Sequence, residues 1–229
     1  MATDGTGASQ AQLKQVASKI SISAQIEPKT SFAHQQNGIP FIRDLRVTNL
    51  CGEALENLEL TISFNPHFAD EKHIFVQRIE AGEIFVSDVV DVSLSGEYLS
   101  GARESTAGRI VIECISQSNV VGSYSGETRL LAFDEWAGLS GLPEILAAFS
   151  QPNHPAVERV LRSASELLSK AGKLASIEGY QSKDRKRAWE IASAIYGSIA
   201  NLGLTYANPP ASFEKTGQKI RTPDRILVP

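Results

Sequence analysis

The sequence predicts an α+β fold, with strands first and helices last, and three observations carry that prediction. Apolar side chains recur at every second position through residues 20–133, with turn formers between the runs. Beyond residue 133 the apolar spacing changes to three and four, and from residue 205 onward prolines crowd a short segment. A period of two marks strands with one face on a core, and a period near 3.6 marks amphipathic helices. The expected arrangement is an antiparallel immunoglobulin-like β-sandwich followed by a small helical subdomain with an extended C-terminal tail. Its segments are a flexible N-terminal tail (1–19), the sandwich (20–133), a helical hairpin subdomain (134–204) and an extended Pro-rich tail (205–229).

The strand candidates follow in chain order. Ile20, Ile22, Ala24 and Ile26 alternate with polar residues, as do Leu45 and Val47 within Phe41–Asn49. Leu58, Leu60, Ile62 and Phe64 keep a clean period of two, whereas Ile74, Val76 and Ile79 give a shorter, less regular candidate. Phe85–Leu94 is rich in valine, Arg109–Ile115 is almost wholly β-branched or apolar, and Thr128–Phe133 closes the series. Asn37-Gly38-Ile39-Pro40, Cys51-Gly52, Asn65-Pro66, Ala81-Gly82 and Ser125-Gly126 separate them. About seven short strands at this spacing predict a sandwich.

Three helices are expected next. Leu142–Phe149 carries Pro143 in its first turn, where a missing N–H does no harm. Pro155–Ala171 aligns Val157, Val160, Leu161, Ala164, Leu167, Leu168 and Ala171 on one face, with Gly172 as its stop. Ser182–Leu202 aligns Ala188, Ala192, Ile195, Tyr196 and Ile199, with Ser182 or Asp184 as its cap and Gly203 after it. The last two should pair as a hairpin that buries those faces. The tail holds Pro209, Pro210, Pro223 and Pro229, which argues against a helix there, and it shows no strand pattern.

Composition narrows the function classes. The chain has 229 residues with 22 basic and 26 acidic side chains, a net charge of −4, and 42% hydrophobic residues. These are ordinary globular values, and they exclude a collagen or a long disordered chain. No apolar run reaches the roughly 18 residues of a membrane span. Met1–Gln10 lacks the basic start and apolar middle of a signal peptide. The expectation is a cytoplasmic protein with no membrane partner. Residues 1–133 hold 10 basic and 16 acidic side chains and residues 134–229 hold 12 and 10, so two differently built parts are expected.

No catalytic residue, cofactor-binding residue or metal site is predicted. Cys51 and Cys114 have the spacing of an antibody-domain disulfide, but both tryptophans, Trp136 and Trp189, lie outside the interval, so two free thiols are expected. Cys114 beside a histidine would make a nucleophile pair, yet its apolar strand favours an inert thiol. His67 and His73 with Asp70 and Glu71 match no standard metal motif and read as a solvated loop. Two basic clusters remain. Lys183-Asp-Arg-Lys-Arg187 sits at the start of the last expected helix, where positive charge opposes the macrodipole, and Lys215, Lys219, Arg221 and Arg225 punctuate the tail. Arg185, Lys186, Arg187, Lys219 and Arg221 are the candidates for phosphate or DNA contact. No aromatic interleaves with the first cluster in the linear sequence, which argues against base stacking there.

A set of motifs carries a resemblance. Leu131-Ala-Phe-Asp-Glu-Trp-Ala-Gly138, Pro143-Glu-Ile-Leu-Ala-Ala-Phe149 and Gln151-Pro-Asn-His-Pro155 come first. Gly179-Tyr-Gln-Ser182, Ala194-Ile-Tyr196, Pro209-Pro-Ala-Ser-Phe213 and Gly217-Gln-Lys-Ile-Arg-Thr-Pro223 follow. In this order they resemble the N-terminal region of large bacterial superfamily-one helicase-type ATPases, most specifically over residues 130–223. The resemblance implies an immunoglobulin-like sandwich and helical segment that precede transglutaminase-like, helicase and restriction-endonuclease-like domains. It implies DNA processing in phage or mobile-element defence. Under it Trp136, Asn153, Gly179, Tyr180, Gln181, Pro209, Pro210, Ser212, Phe213 and Gln218 are family-motif residues with structural roles. The catalytic cysteine and histidine, the Walker motifs and the nuclease carboxylates would all lie after residue 229, and Cys51 and Cys114 do not stand at the nucleophile's place. The function expected is a non-catalytic interaction or positioning module. Its partners would be the downstream domains of the same polypeptide or a partner protein, and DNA. The alternatives are an incomplete transglutaminase or cysteine-protease-like domain, a stand-alone protein-binding adaptor, and a sandwich that binds carbohydrate or peptide.

Overall fold

The computed structural model describes residues 19–139, 141–179, 181, 183–205, 208, 215 and 217–227. The fold is mixed α+β, with most of the regular structure in several sheets and few helices. Two compact units divide the chain, and each is built from separated segments. The first takes Pro40–Leu94, Gly108–Glu127 and the described part of Met1–Glu27. The second takes Pro28–Ile39, Ser95–Ala107 and Thr128–Pro229.

In the first unit β1 (Ile20–Ile26), β3 (Ile42–Asn49) and β6 (Ile84–Val90) form a three-stranded antiparallel sheet in the order β1-β3-β6. A second sheet runs in the order Lys29–Thr30 (β2), Asn119–Leu130 (β8), Thr106–Ser116 (β7), Leu55–Asn65 (β4) and Lys72–Ile79 (β5). In it β4 (Leu55–Asn65) lies between β5 (Lys72–Ile79) and β7 (Thr106–Ser116), antiparallel to both. The period of two decides which side chains are buried. Leu58, Leu60, Ile62 and Phe64 on β4, and Ile110, Ile112 and Cys114 on β7, are all buried. Ile42, Leu45 and Val47 are buried on β3. The change of parity between Ile42 and Leu45 coincides with Asp44, whose φ of 49° breaks the alternation. Each such Leu or Ile contributes about 1.5–3 kcal/mol by leaving water. Phe41, Phe64 and Phe68 close one end as a tilted and edge-to-face trio, with centroids 5.3–6.3 Å apart. The irregular candidate at Ile74–Ile79 is a full strand paired with β4; Val76 and Ile79 are both buried although their parity differs, because the pairing is interrupted opposite Asn57, at φ 50°, and Phe75 stays exposed.

One buried polar side chain organises the loops of this unit. Asn49 is fully buried, and its Nδ2 donates to the carbonyls of Glu53, Ile79 and Glu80 at 2.8, 3.0 and 3.1 Å. Its Oδ1 accepts from the Cys51 N–H at 2.8 Å.

The second unit opens with β2 (Lys29–Thr30), which pairs in parallel with Arg129–Leu130, the end of β8 (Asn119–Leu130). Two short helices lie inside the stretch expected to be wholly β. Helix α1 (Phe32–Gln36) is capped by Ser31, and α2 (Gly96–Gly101) by Ser95, whose Oγ accepts from the Tyr98 N–H at 3.1 Å. Pro143–Phe149 is a 3-10 turn with Pro143 at its start. Helices α3 (Pro155–Lys170) and α4 (Arg185–Ala200) pack on each other around Ala164, Leu168 and Ala194. Helix α3 stops in a Schellman motif. Gly172 has φ 66°, its N–H reaches Ser169 O, and the Lys173 N–H reaches Leu168 O at 2.9 Å. Asp184 caps α4, its Oδ1 accepting from the Lys186 N–H at 2.9 Å.

Two expectations are corrected in this unit. The buried face of α4 is Arg187, Ile191, Ala194 and Ser198, while Ala188, Ala192, Tyr196 and Ile199 face solvent. Small side chains let the helices approach, and the polar ones are satisfied: Ser198 Oγ donates to Val160 O at 2.9 Å. The tail, expected to lack both strand and helix, contains strand β10 (Gln218–Lys219) and the short helix Pro223–Leu227. Pro223 is compatible because it stands at the first position of that helix. No helix among the described residues is long and apolar enough to cross a membrane.

Candidate functional site

The thiols and imidazoles are the first groups to place for nucleophilic and metal chemistry. Cys51 and Cys114 are free thiols. Cys114 is fully buried, and burial pushes its thiol up to about 11, so almost no thiolate exists at neutral pH. Neither thiol has a histidine partner among the described residues. His73 sits on β5 between Glu59, 2.8 Å from Nδ1, and Glu71, 3.0 Å from Nε2. Among the described residues no group of three or more His, Cys, Asp or Glu side chains could hold a metal.

Two features of the second unit are built for contact instead. The first is the solvent face of α4. At 100° per residue Arg185, Trp189, Ala192, Tyr196 and Ile199 fall on one stripe, flanked by Lys186 and Ser193. Trp189 is 75% exposed and Tyr196 76%. The two rings are seven residues apart, about 10 Å along the axis at about 1.5 Å per residue. Small Ala192 and Ser193 lie between them and leave both faces open. Glu190 is the sole acid in the helix, and it is turned to Lys173 at 3.2 Å and Arg187 at 3.6 Å. The exposed stripe therefore carries aromatic and basic groups with no carboxylate. The linear sequence shows no aromatic among Lys183–Arg187, but helical spacing sets Trp189 one turn from Arg185 and Lys186. The signal was present as an i, i+4 pair.

The five basic candidates separate in the structure. Arg185 and Lys186 are exposed at the start of α4, and Arg221 is exposed in the tail. Arg187 turns inward and is 9% exposed. Its guanidinium donates to Leu174 O at 3.1 Å, to Glu178 O at 3.4 Å and to Ser176 O, tying the 174–178 loop to the helix. Those donors are not free for a phosphate. Lys219 Nζ is held by Arg103 O at 2.7 Å and by Glu104 at 2.6 Å, and the Glu104 carboxylate raises its pKa.

The second feature is a junction of the motif segments. Strand β9 (Glu135–Trp136) pairs antiparallel with β10 in the register Gln218↔Trp136 and Lys219↔Glu135. The two motifs at 131–138 and 217–223, about eighty residues apart, are thus one ladder. Its backbones approach too closely for side chains. Gly217 has φ 93°, and a Cβ there would stand 2.2 Å from Trp136 O. Gly138 has φ 82°, and a Cβ there would stand 2.7 Å from Gly217 N. Trp136 is buried and Gln218 half-buried, whereas Asn153, Gly179 and Gln181 are exposed. Tyr180, Pro209, Pro210, Ser212 and Phe213 lie outside the described residues.

Beside the ladder, Asp134 is 4% exposed. Arg225 Nη1 donates to its Oδ2 at 2.9 Å, and the Ile220 N–H donates to its main-chain oxygen at 2.6 Å. Glu135 accepts from the Ser105 hydroxyl and from the Ala132 N–H. Arg103 lies over the Phe133 ring at 4.5 Å. The partners of Asp134 and Glu135 are remote in the chain, so no local signal marks this arrangement. The chain matches no protein-family model and no curated protein.

Proposed function

We propose that this chain is a non-catalytic interaction and positioning module that holds a DNA strand against the exposed face of α4. The reading includes an immunoglobulin-like sandwich in the first unit, a cytoplasmic setting, and service to the DNA-processing helicase and nuclease domains that the motif resemblance implies, in phage or mobile-element defence. One observation carries it: Trp189 and Tyr196 stand open on one stripe with Arg185 at its head, Lys186 flanking it and no carboxylate between. Aromatic faces stack bases at about 1–3 kcal/mol each, and adjacent cations track the backbone. A 10 Å separation spans about three nucleotides at about 3.4 Å per step. Arg187 is left out of the contact because it is turned inward, and Lys219 because it is paired with Glu104 and the Arg103 carbonyl, and Arg221 is a separate, secondary cation.

The test is a fluorescence titration with an oligothymidylate. Trp136 is buried, so quenching by stacked bases reports on Trp189. Two neutralised phosphates give a slope of log K against log salt of about −1.4. Tyr196→Ala, which leaves the Trp189 reporter in place, should weaken binding about tenfold or more, and R185A/K186A should flatten the slope. Absence of salt-sensitive quenching refutes the DNA reading.

A second reading, a protein-binding adaptor, has its own support. Ile199 on the stripe, and Leu202 and Leu204 just after the end of α4, are exposed aliphatic side chains, which do not stack bases. Competition between an oligonucleotide and a protein partner for the same Trp189 signal separates the two.

A further inference from the structure

We infer that the free edge of β6 is a docking site for an extended segment of a partner polypeptide, which adds a strand to the sheet and carries apolar and basic side chains in alternation. In the first unit β6 stands at the end of the β1-β3-β6 sheet, with β3 on one side. Two bonds of β3 fix the direction of its backbone groups. The Asn49 N–H reaches Glu83 O at 3.0 Å, and the Leu50 N–H reaches Lys19 O at 3.0 Å, so odd-numbered residues of β3 turn to β6 and even-numbered ones to β1. The register Phe85↔Val47 and Ser87↔Leu45 continues that pairing. Backbone groups of successive strand residues point to opposite sides, so the N–H and C=O of Ile84 and Val86 point away from β3. Among the described residues no strand pairs with them. A row of such groups selects an added strand, not a compact ligand.

The other long edges are blunted. Strand β1 has a register shift between Ser23 and Gln25, and β5 carries Lys72 and Arg78. Strand β6, Ile-Phe-Val-Ser-Asp-Val-Val, has no cation, proline or glycine. Ile84 is 49% exposed and Val86 44%. The ladder with β3 is interrupted at Asp44, opposite Asp88, so the regular edge ends there and the docked strand is short. Charge names the occupant. Glu83, Asp88 and Asp91 are exposed along and beside the edge. The cations opposite Val86 and Val89 in the register, Arg46 and Arg43, are already held by Asp44 and Glu27. A second copy of this edge would double the carboxylates in one ladder, and like charges across a pair repel. A segment reading basic-x-apolar-x-apolar sets its apolar side chains opposite Val86 and Ile84 and its cation opposite Asp88. The site does not depend on the α4 face, and either reading can fail without the other.

The experiment is an NMR titration of the isotope-labelled full chain with the capped peptide Lys-Thr-Val-Thr-Val-Thr-Lys and its counterpart with glutamate in place of both lysines. The shifts should centre on the amides of Ile84 and Val86. A favourable cross-strand charge pair corresponds to up to about fivefold in affinity and a like pair opposes binding, so the lysine peptide should bind at least about fivefold more tightly. Methylating the N–H of both valines removes the donors aimed at β6 and should abolish binding. Methylating the central threonine N–H, which faces away, should leave it largely intact. These arms change nothing in the protein. Val86→Pro removes an outward donor at an edge that tolerates proline, and it should abolish binding without moving the urea midpoint. Asp88→Lys should narrow the preference for the lysine peptide by about fivefold. No binding of the lysine peptide at millimolar concentration overturns the proposal, and so does equal loss from methylating valine or threonine. Binding that appears only after removal of residues 1–18 makes that segment the occupant and overturns it too, as does a dimer that Val86→Pro abolishes.

Discussion

Gly217→Ala is the substitution that most directly tests the construction of the β9–β10 ladder. Two separate penalties arise at this position. An alanine at φ 93° carries backbone strain of about 1–3 kcal/mol. Its methyl group would also stand 2.2 Å from Trp136 O, and a contact below 3.0 Å forces something to shift. The atom it meets is backbone, so no side chain can swing aside. The strands must part by about an ångström, which removes ladder hydrogen bonds of about 0.5–1.5 kcal/mol each. Together these come to about 3 kcal/mol or more, or at least about a hundredfold loss of protection if the ladder opens locally. Gly172→Ala provides the control, because Gly172 shares the positive φ, at 66°, but has open space where a Cβ would be. It should show the conformational cost alone, about 1 kcal/mol. Hydrogen–deuterium exchange over residues 134–138 and 217–220 for the first variant, and over the end of α3 for the second, measures both. If Gly217→Ala and Gly172→Ala lose the same protection, the close-approach argument is refuted.

Three further outcomes are expected. Asn49→Ala removes a buried side chain with four hydrogen bonds to main-chain groups and should destabilise the first unit by about 2–4 kcal/mol, read as a shift in the urea midpoint at constant slope. Burial lowers the pKa of His34, whose Nδ1 lies 2.8 Å from Ser31 Oγ. The unfolded chain therefore takes up the proton first as pH falls below about 6.5, and stability declines there by up to about 1.4 kcal/mol per pH unit until the folded-state pKa is passed. That decline should be absent in His34→Gln when denaturant curves at pH 7.5 and 5.5 are compared. Thiol labelling of the native chain at neutral pH should modify Cys51 and spare Cys114 until denaturant is added, because Cys114 is buried and its thiol is pushed up to about 11. Rapid labelling of Cys114 in the folded chain would revive the cysteine-nucleophile alternative.

Regular alternation made β4 and β7 legible: Leu58 to Phe64 and Ile110 to Cys114 need no remote partner to declare their faces. The Gly172 stop and the Asp184 cap were equally local signals. Helices α1 and α2 were not legible, because five or six residues are too few for a 3.6-residue period to show. Only Ser31 and Ser95 announce them. The face of α4 was misread because hydrophobicity alone ranks Tyr196 above Arg187. Burial of Arg187 depends on three carbonyls of the 174–178 loop, and sequence spacing does not reveal that these converge. The β9–β10 ladder and the Asp134–Arg225 pair depend on residues about eighty to a hundred positions apart. Gly138 and Gly217 mark the ladder as a close approach but do not say what approaches.

The division of the chain has a consequence in time. The path passes between the two units five times. Pro28–Ile39, which holds β2 and α1, belongs with Thr128–Pro229 rather than with the strands that follow it. At about 5–20 residues per second, a ribosome needs roughly 10–40 s to bring out the rest of that unit, which runs to Pro229. Throughout this interval Phe32, Ala33 and His34 have been synthesised without most of the residues that later bury them. Synthesis thus imposes a waiting period on the earliest piece of the second unit, during which a chaperone has its opening to bind.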